Sequence, residues 1–195
     1  MDVILWHLFI KYAQENKIPI PASIDFPYSD DDNMWGITWE GGEITDPSQI
    51  VPEEKFLTTY FLPKDAPDRE EFVKIQFKKG IPIALNGKKL SLAKLIVQLN
   101  KIAGQHGVGT VYLLEDRLVG LKNRGVYEHP GAHVIIEAHK SLERFVSTRD
   151  LNELKEMLDI KWAYLCYGAL WYDSVMEAIN AFNDKWYDDR ISTSP

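Results

Sequence analysis

The sequence predicts an α+β fold, a mixed or antiparallel sheet packed with helices and followed by a helical C-terminal tail. Three observations carry that expectation. Residues 2–16 and 91–104 space their apolar groups as helices do. The stretch "EFVKIQFKKGIPIAL", residues 71–85, alternates as strands do. From residue 132 to 188 the pattern is helical throughout, so strands and helices are grouped instead of alternating as βαβ units. With 195 residues, 45% of them hydrophobic, the chain is long enough to bury a real core. It is read as a single domain over 1–195, with residues 150–190 as a helical oligomerisation region.

In chain order, residues 2–16 carry Val3, Ile4, Leu5, Trp6, Leu8, Phe9, Ile10 and Tyr12 around most of a helix, which therefore needs neighbours on several sides. Pro19 and Pro21 then favour extended backbone. "YSDDDNMWG" reads as an acidic loop, and the "SDDDN" within it as a solvated turn. In residues 71–85, Val73, Ile75 and Phe77 alternate with Lys74, Gln76 and Lys78, the chain turns near Gly80, and Ile81, Ile83 and Leu85 continue a β-hairpin. Ser91 caps the next helix and Gly104 is its expected stop. "VGTVYLLEDRLVGL" returns to strand, "AHVIIEAHKSLERFV" is helical after Pro130 and Gly131, and residues 150–188 read as two more helices rich in Trp and Tyr.

Charge and composition exclude some functions. A net charge of −7 opposes a phosphate-backbone binder, so no nucleic-acid partner is expected. The longest apolar run, "WAYLCYGALWY", is too short to span a bilayer, and the start lacks the basic lead of a signal peptide. One cysteine, Cys166, forms no internal disulfide, and a cytoplasmic location is expected. The helices at 150–188, with Trp162, Tyr164, Tyr167, Trp171, Tyr172 and Trp186, suggest an exposed aromatic surface and a homo-oligomer.

Several apparent sites carry little chemistry. "GQHGVG", residues 104–109, follows a helix instead of opening one, so a helix cap with a turn is preferred to a phosphate cradle. His129, His133 and His139 are read as helix-start and surface histidines, since their spacing does not place three metal ligands on one face. Cys166 is read as a buried structural thiol. The remaining constellation is Ser29, Thr38, Glu115 and Tyr127. An ionised Glu pairs with an ammonium while hydroxyls orient a carboxylate or amide, a combination that suits an amino acid.

"PYSDDDNMWGITWEGGEITDP", "GIPIALNGKKLS", "LNKIAGQHGVGTVYLLEDRLVGLKNRGVYEHPG" and "RDLNELKEML" through "ALWYDSVMEAINAFND" resemble the C-terminal half of argininosuccinate synthase, from about residue 10 to residue 185. The resemblance implies a part in joining citrulline and aspartate with ATP, through a citrullyl-adenylate, with release of AMP and pyrophosphate. It also implies that citrulline is contacted by the serine of "PYS" (Ser29), the hydroxyl residue ahead of "EGG" (Thr38), the glutamate ahead of "RLVG" (Glu115) and the tyrosine of "RGVYE" (Tyr127). Their role would be positioning, without proton transfer, so no catalytic residue is assigned. Thr38 stands where the family commonly has serine, Ile37 where many members have arginine, and His129 where threonine is expected. The family binds ATP, with magnesium, and aspartate through an N-terminal domain whose "SGGLDTS"-type loop does not occur here. This chain is therefore expected to hold no cofactor and no metal, to be inactive alone, and to work with a separate nucleotide-binding chain. The alternative is a non-catalytic relative that binds an amino acid or a protein partner.

Overall fold

A computed structural model describes residues 3–20, 23, 25–58, 62–189 and 191–192. The α+β class holds, with the strands divided between two small antiparallel sheets. The chain forms two compact units, residues 1–69 with 96–133, and residues 70–95 with 134–195.

The first unit begins with α1 (Val3–Glu15), where Ile10 and Ala13 are buried while Leu8, Phe9 and Tyr12 remain exposed. Its sheet runs in the order β1 (Tyr28–Asn33), β2 (Gly36–Gly41), β7 (Lys122–Glu128) and β6 (Thr110–Asp116). The expected acidic loop is instead strand β1, paired antiparallel to β2 from Tyr28↔Gly41 to Asn33↔Gly36. Its only inward anchor is Tyr28, and the five polar residues after it are exposed, so the sequence offers no alternation to read. Acidic side chains along an exposed edge also discourage pairing with another strand. The tight turn is made by Asn33, whose Oδ1 accepts the backbone N–H of Trp35 at 2.8 Å and of Gly36 at 3.3 Å.

One face of this sheet carries the core. Tyr28, Trp39 and Val126 pack with Ile44 and Phe56, and Phe26, Ile37, Val51 and Leu57 close around them. The rings meet in edge or tilted contacts, Tyr28 with Phe56 at 5.0 Å and Trp39 with Phe56 at 5.4 Å, each worth about 0.5–1.5 kcal/mol beyond area burial. Two polar side chains of β7 fasten the connecting loop to this face. Arg124 donates to the backbone carbonyls of Ile44 (2.6 Å), Glu43 (2.8 Å), Asp46 (2.6 Å) and Gln49 (3.0 Å). Glu128, fully buried, accepts the Trp39 indole N–H at 2.7 Å and the Thr58 backbone N–H at 3.0 Å. Nearby, Lys55 and the Tyr28 hydroxyl both donate to Glu43 and hold its carboxyl down at about 2.

Helix α2 (Leu92–Gln105) runs one residue past the expected stop at Gly104. Gly107, at φ 66°, supplies the left-handed residue, with Val108 N–H bonded to the Ala103 carbonyl at 3.0 Å and Gly107 N–H to that of Gly104 at 3.1 Å. The strand expected over 108–121 stops at Asp116, and residues 117–121 turn the chain into β7.

The second unit contains the expected hairpin, β3 (Ile75–Lys78) with β4 (Ile81–Leu85), extended by a two-residue strand β5 (Lys88–Lys89) after the Asn86-Gly87 turn. Helices α3 (Pro130–Val146), α4 (Arg149–Tyr167) and α5 (Ser174–Asp189) follow, with α3 lying in this unit from residue 134. Leu165, Met176 and Ile179 form a core cluster to which Cys166, itself only partly buried, adds. Trp186 is 4% exposed and so does not belong to the expected aromatic surface, which Tyr164, Tyr167, Trp171 and Tyr172 do supply. His139 is not a surface residue either, since it stands between the rings of Phe77 and Tyr187, 5.5 Å from each. Burial holds its pKa down, against the pull of Glu143.

Glu143 is the hub of this packing. Its carboxylate accepts the Tyr187 hydroxyl at 3.1 Å and lies 3.7 Å from Lys155 Nζ, with both side chains of that ion pair below 10% exposure. Lys155 also bonds Asp159 at 2.5 Å. Burial opposes the lysine charge, but Asp159, Tyr187 and Glu143 together hold its pKa above the ordinary value. Lys155→Ala strands a buried carboxylate and is expected to cost about 3–5 kcal/mol in urea unfolding. The double replacement Lys155→Met with Glu143→Leu removes both charges and should cost clearly less than the single change.

Candidate functional site

Antiparallel pairing puts directly opposed side chains on the same face, and successive residues on opposite faces. In the first unit's sheet, Thr38 lies directly opposite Tyr127, and these two are opposed on either side by Asp31 of β1 and Val111 of β6. Counting by twos from that row, Ser29 and Glu115 fall on the same face. All four predicted residues therefore share one side of the sheet, while Tyr28, Trp39, Val126 and Glu128 occupy the other with the core. Closeness is unequal. Thr38 and Tyr127 are immediate neighbours, and Ser29 lies opposite Glu40, two residues along from Thr38. Glu115 lies opposite Asn123, four residues along β7 from Tyr127, or about 13 Å of strand.

Gly125 narrows that gap. A Cβ there would stand 3.1 Å from Tyr127 Cε2 and 3.3 Å from its hydroxyl, so the ring leans back over Gly125 toward the Glu115–Asn123 pair. A larger residue would push the ring away. At the far end, Arg117 Nη2 bonds both carboxylate oxygens of Glu40, at 3.0 and 2.9 Å. Because β7 lies between β2 and β6, this ion pair crosses β7. Burial and then the Glu40 charge raise the Glu115 pKa, against the lowering effect of Arg117. The arrangement is a polar strip of two hydroxyls and a tyrosine leading to a carboxylate that lacks a full counter-charge. It has the chemistry to hold a small amino acid and contains no nucleophile aligned with a base.

Sequence reasoning missed Arg117, Glu40, Gly125 and Asn123. Once Tyr127 is placed on a strand, counting back by twos through "NRGVY" finds Gly125 and Asn123. Glu40 and Arg117 meet only through the strand order, which no local pattern records.

Other candidate positions lie elsewhere. Ile37 packs against the core cluster on the opposite face from Thr38, so an arginine at this position would not reach the strip directly. His129 follows β7 and joins it to α3, its N–H bonded to the Gly109 carbonyl at 2.8 Å and its ring 6.1 Å from that of His133. Burial and the neighbouring His133 lower the His129 pKa. Among the described residues no three His, Cys, Asp or Glu side chains gather as metal ligands. "GQHGVG" closes the C-terminal end of α2, where the helix dipole repels an anion. A cleft of about 370 Å³ in the second unit is lined by α3 and α4 residues including Lys140, Arg144 and Lys155, and by none of the four predicted residues. Among the described residues, no helix is long and apolar enough to cross a membrane.

Residues 28–192 match the family model of the arginosuccinate synthase C-terminal domain. The chain is 47% identical over 176 residues to the argininosuccinate synthase of Methanococcus maripaludis, covering 90% of this chain and 44% of that protein. It is 46% identical over 173 residues to that of Streptococcus uberis, covering 89% and 43%. With that of Dictyoglomus turgidum it shares 48% identity over 176 residues, covering 90% and 43%. The chain thus spans less than half the length of the curated relatives it matches.

The raised Glu115 pKa fixes the sign of a stability effect. A carboxyl whose folded pKa lies above its unfolded value opposes folding once ionised, and is neutral in effect below the unfolded value. Glu115→Gln is therefore expected to raise the melting temperature at neutral pH and to match the parent in acid, below the ordinary carboxylate range. Thermal unfolding followed across that range checks it. A variant less stable than the parent at neutral pH would contradict the assigned cause.

Proposed function

The chain belongs to the argininosuccinate synthase family, as its C-terminal domain, and from that premise we propose that it contributes the citrulline-binding half-site for the ATP-dependent ligation of citrulline and aspartate in arginine biosynthesis. The supporting observation is the shared sheet face: Thr38 directly opposite Tyr127, Ser29 two residues along, and Glu115 at the far end, toward which the Tyr127 ring leans over Gly125. These side chains bind and orient citrulline by hydrogen bonds, and none of them moves a proton. Their contribution to rate is to present the ureido group in one orientation to a nucleotide-binding domain, which carries ATP with magnesium and aspartate. That domain is the partner, on a separate chain if not on this one, and the assembly works in the cytoplasm. Self-association through Tyr164, Tyr167, Trp171 and Tyr172, all more than half exposed, is part of the same reading.

Titration with citrulline tests it. Binding to this chain is expected to be weak, because these residues form one wall of a pocket, and Thr38→Val or Tyr127→Phe should each weaken it about tenfold, the cost of one hydrogen bond to a charged or strongly polar group. Ile37→Val, on the other face, should leave it unchanged. Adding a relative's nucleotide-binding domain should yield argininosuccinate when ATP, citrulline and aspartate are present. Citrulline binding indifferent to both hydroxyl deletions would rule out this face as the site. If binding survives and no product forms with the added domain, a non-catalytic amino-acid-binding relative is the better reading.

A further inference from the structure

Two buried donors beside Glu115 have no acceptor. Asn123 Nδ2 and Arg117 Nε are both shielded from solvent without a hydrogen-bond partner among the described residues. Leaving such groups unsatisfied costs about 1–3 kcal/mol each, and here both belong to the same end of the polar strip. Asn123 lies directly opposite Glu115, with their Cβ atoms about 5 Å apart. Arg117 follows β6 by one residue and reaches over β7 to Glu40 through Nη2, which leaves its Nε uncommitted. Glu115 is thus an acceptor bearing negative charge, placed beside one neutral and one cationic donor.

We propose that Asn123 and Arg117 complete an α-amino-acid head site with Glu115. Glu115 takes the ammonium of the bound amino acid, and Asn123 Nδ2–H and Arg117 Nε–H donate to its carboxylate. This assignment rests on the citrulline reading above and adds to it which end of the ligand lies where. The head lies at the Glu115 end, and the side chain extends along β7 toward the Tyr127 hydroxyl. The leaning ring brings that hydroxyl to about two residues of strand rise, roughly 7 Å, from the Asn123 row, the reach of an extended amino-acid side chain. The ureido group is then at the far end of the strip, clear of Glu115.

The test uses the full chain labelled with ¹⁵N. The side-chain amide pair of Asn123, identified by its loss in Asn123→Ala, is followed during titration with citrulline alongside the backbone amides of Thr38 and Tyr127. The pair is expected to shift and saturate in step with them. Asn123→Ala should weaken citrulline at least about tenfold, the value of a hydrogen bond to a charged group. It should also shrink by the same factor the preference for citrulline over its decarboxylated analogue, 4-ureidobutylamine. Because the Asn123 donor has no partner in the free protein, the variant should lose no thermal stability. If the Thr38 and Tyr127 amides move while the Asn123 pair does not, or if the preference is unchanged, the head-site assignment is overturned and the citrulline reading stands. If no resonance on this face responds to citrulline, both are overturned. A loss of melting temperature without loss of affinity would make Asn123 a structural residue and overturn the assignment.

Discussion

The carboxyl group of Glu128 is the fixed point of the first unit. A buried carboxyl is costly unless its oxygens are satisfied, and here it is held by the Trp39 indole N–H at 2.7 Å and the Thr58 backbone N–H at 3.0 Å. These contacts tie β2 to its sheet neighbour β7 and hold the segment after Phe56 on the core face of the sheet. Since β7 alternates, placing Glu128 and Val126 in the core places Tyr127 and Gly125 on the other side. The opposed strands follow by register, carrying Thr38 out and Ile37 and Trp39 in. A slip of one residue would exchange the two faces completely. The polar strip is therefore positioned by the core behind it, and Arg124, holding five loop carbonyls from the core face, resists such a slip.

The two units solve a common problem differently. In the first, a carboxyl is buried with an indole and a backbone amide among its donors. In the second, Glu143 is buried against Lys155, with Tyr187 and His139 filling the remaining space. Charge thus sits deep in the second unit, whereas on the strip of the first, Glu115 lies only half-buried beside donors left without partners. A fully satisfied buried polar network rigidifies the packing around it.

How much was legible in the sequence depends on how far each signal reaches. The β3–β4 hairpin was readable from local alternation, and the later helices from their apolar spacing. Strand β1 was hidden, because only Tyr28 of its six residues turns inward and the rest look like a solvated loop. Gly104 looked like a helix stop, but Gly107 adopts the left-handed conformation that ends α2. Trp186 and His139 read as surface residues in the sequence because nothing local shows that packing from other elements covers them. The four site residues came from a family resemblance carried by separate motifs. That they share one face follows from register, and the Arg117–Glu40 bridge over β7 from strand order, neither of which spacing along the chain encodes.

The dependence of the sheet on Glu128 is most directly measured at the Trp39 indole proton. Its exchange with deuterium, followed by NMR, is expected to be far slower than that of the exposed Trp171, because it leaves only when β2 and β7 separate. In Glu128→Ala it should become fast, together with the backbone amides of β2. Equal exchange at Trp39 and Trp171 in the parent protein would contradict the account.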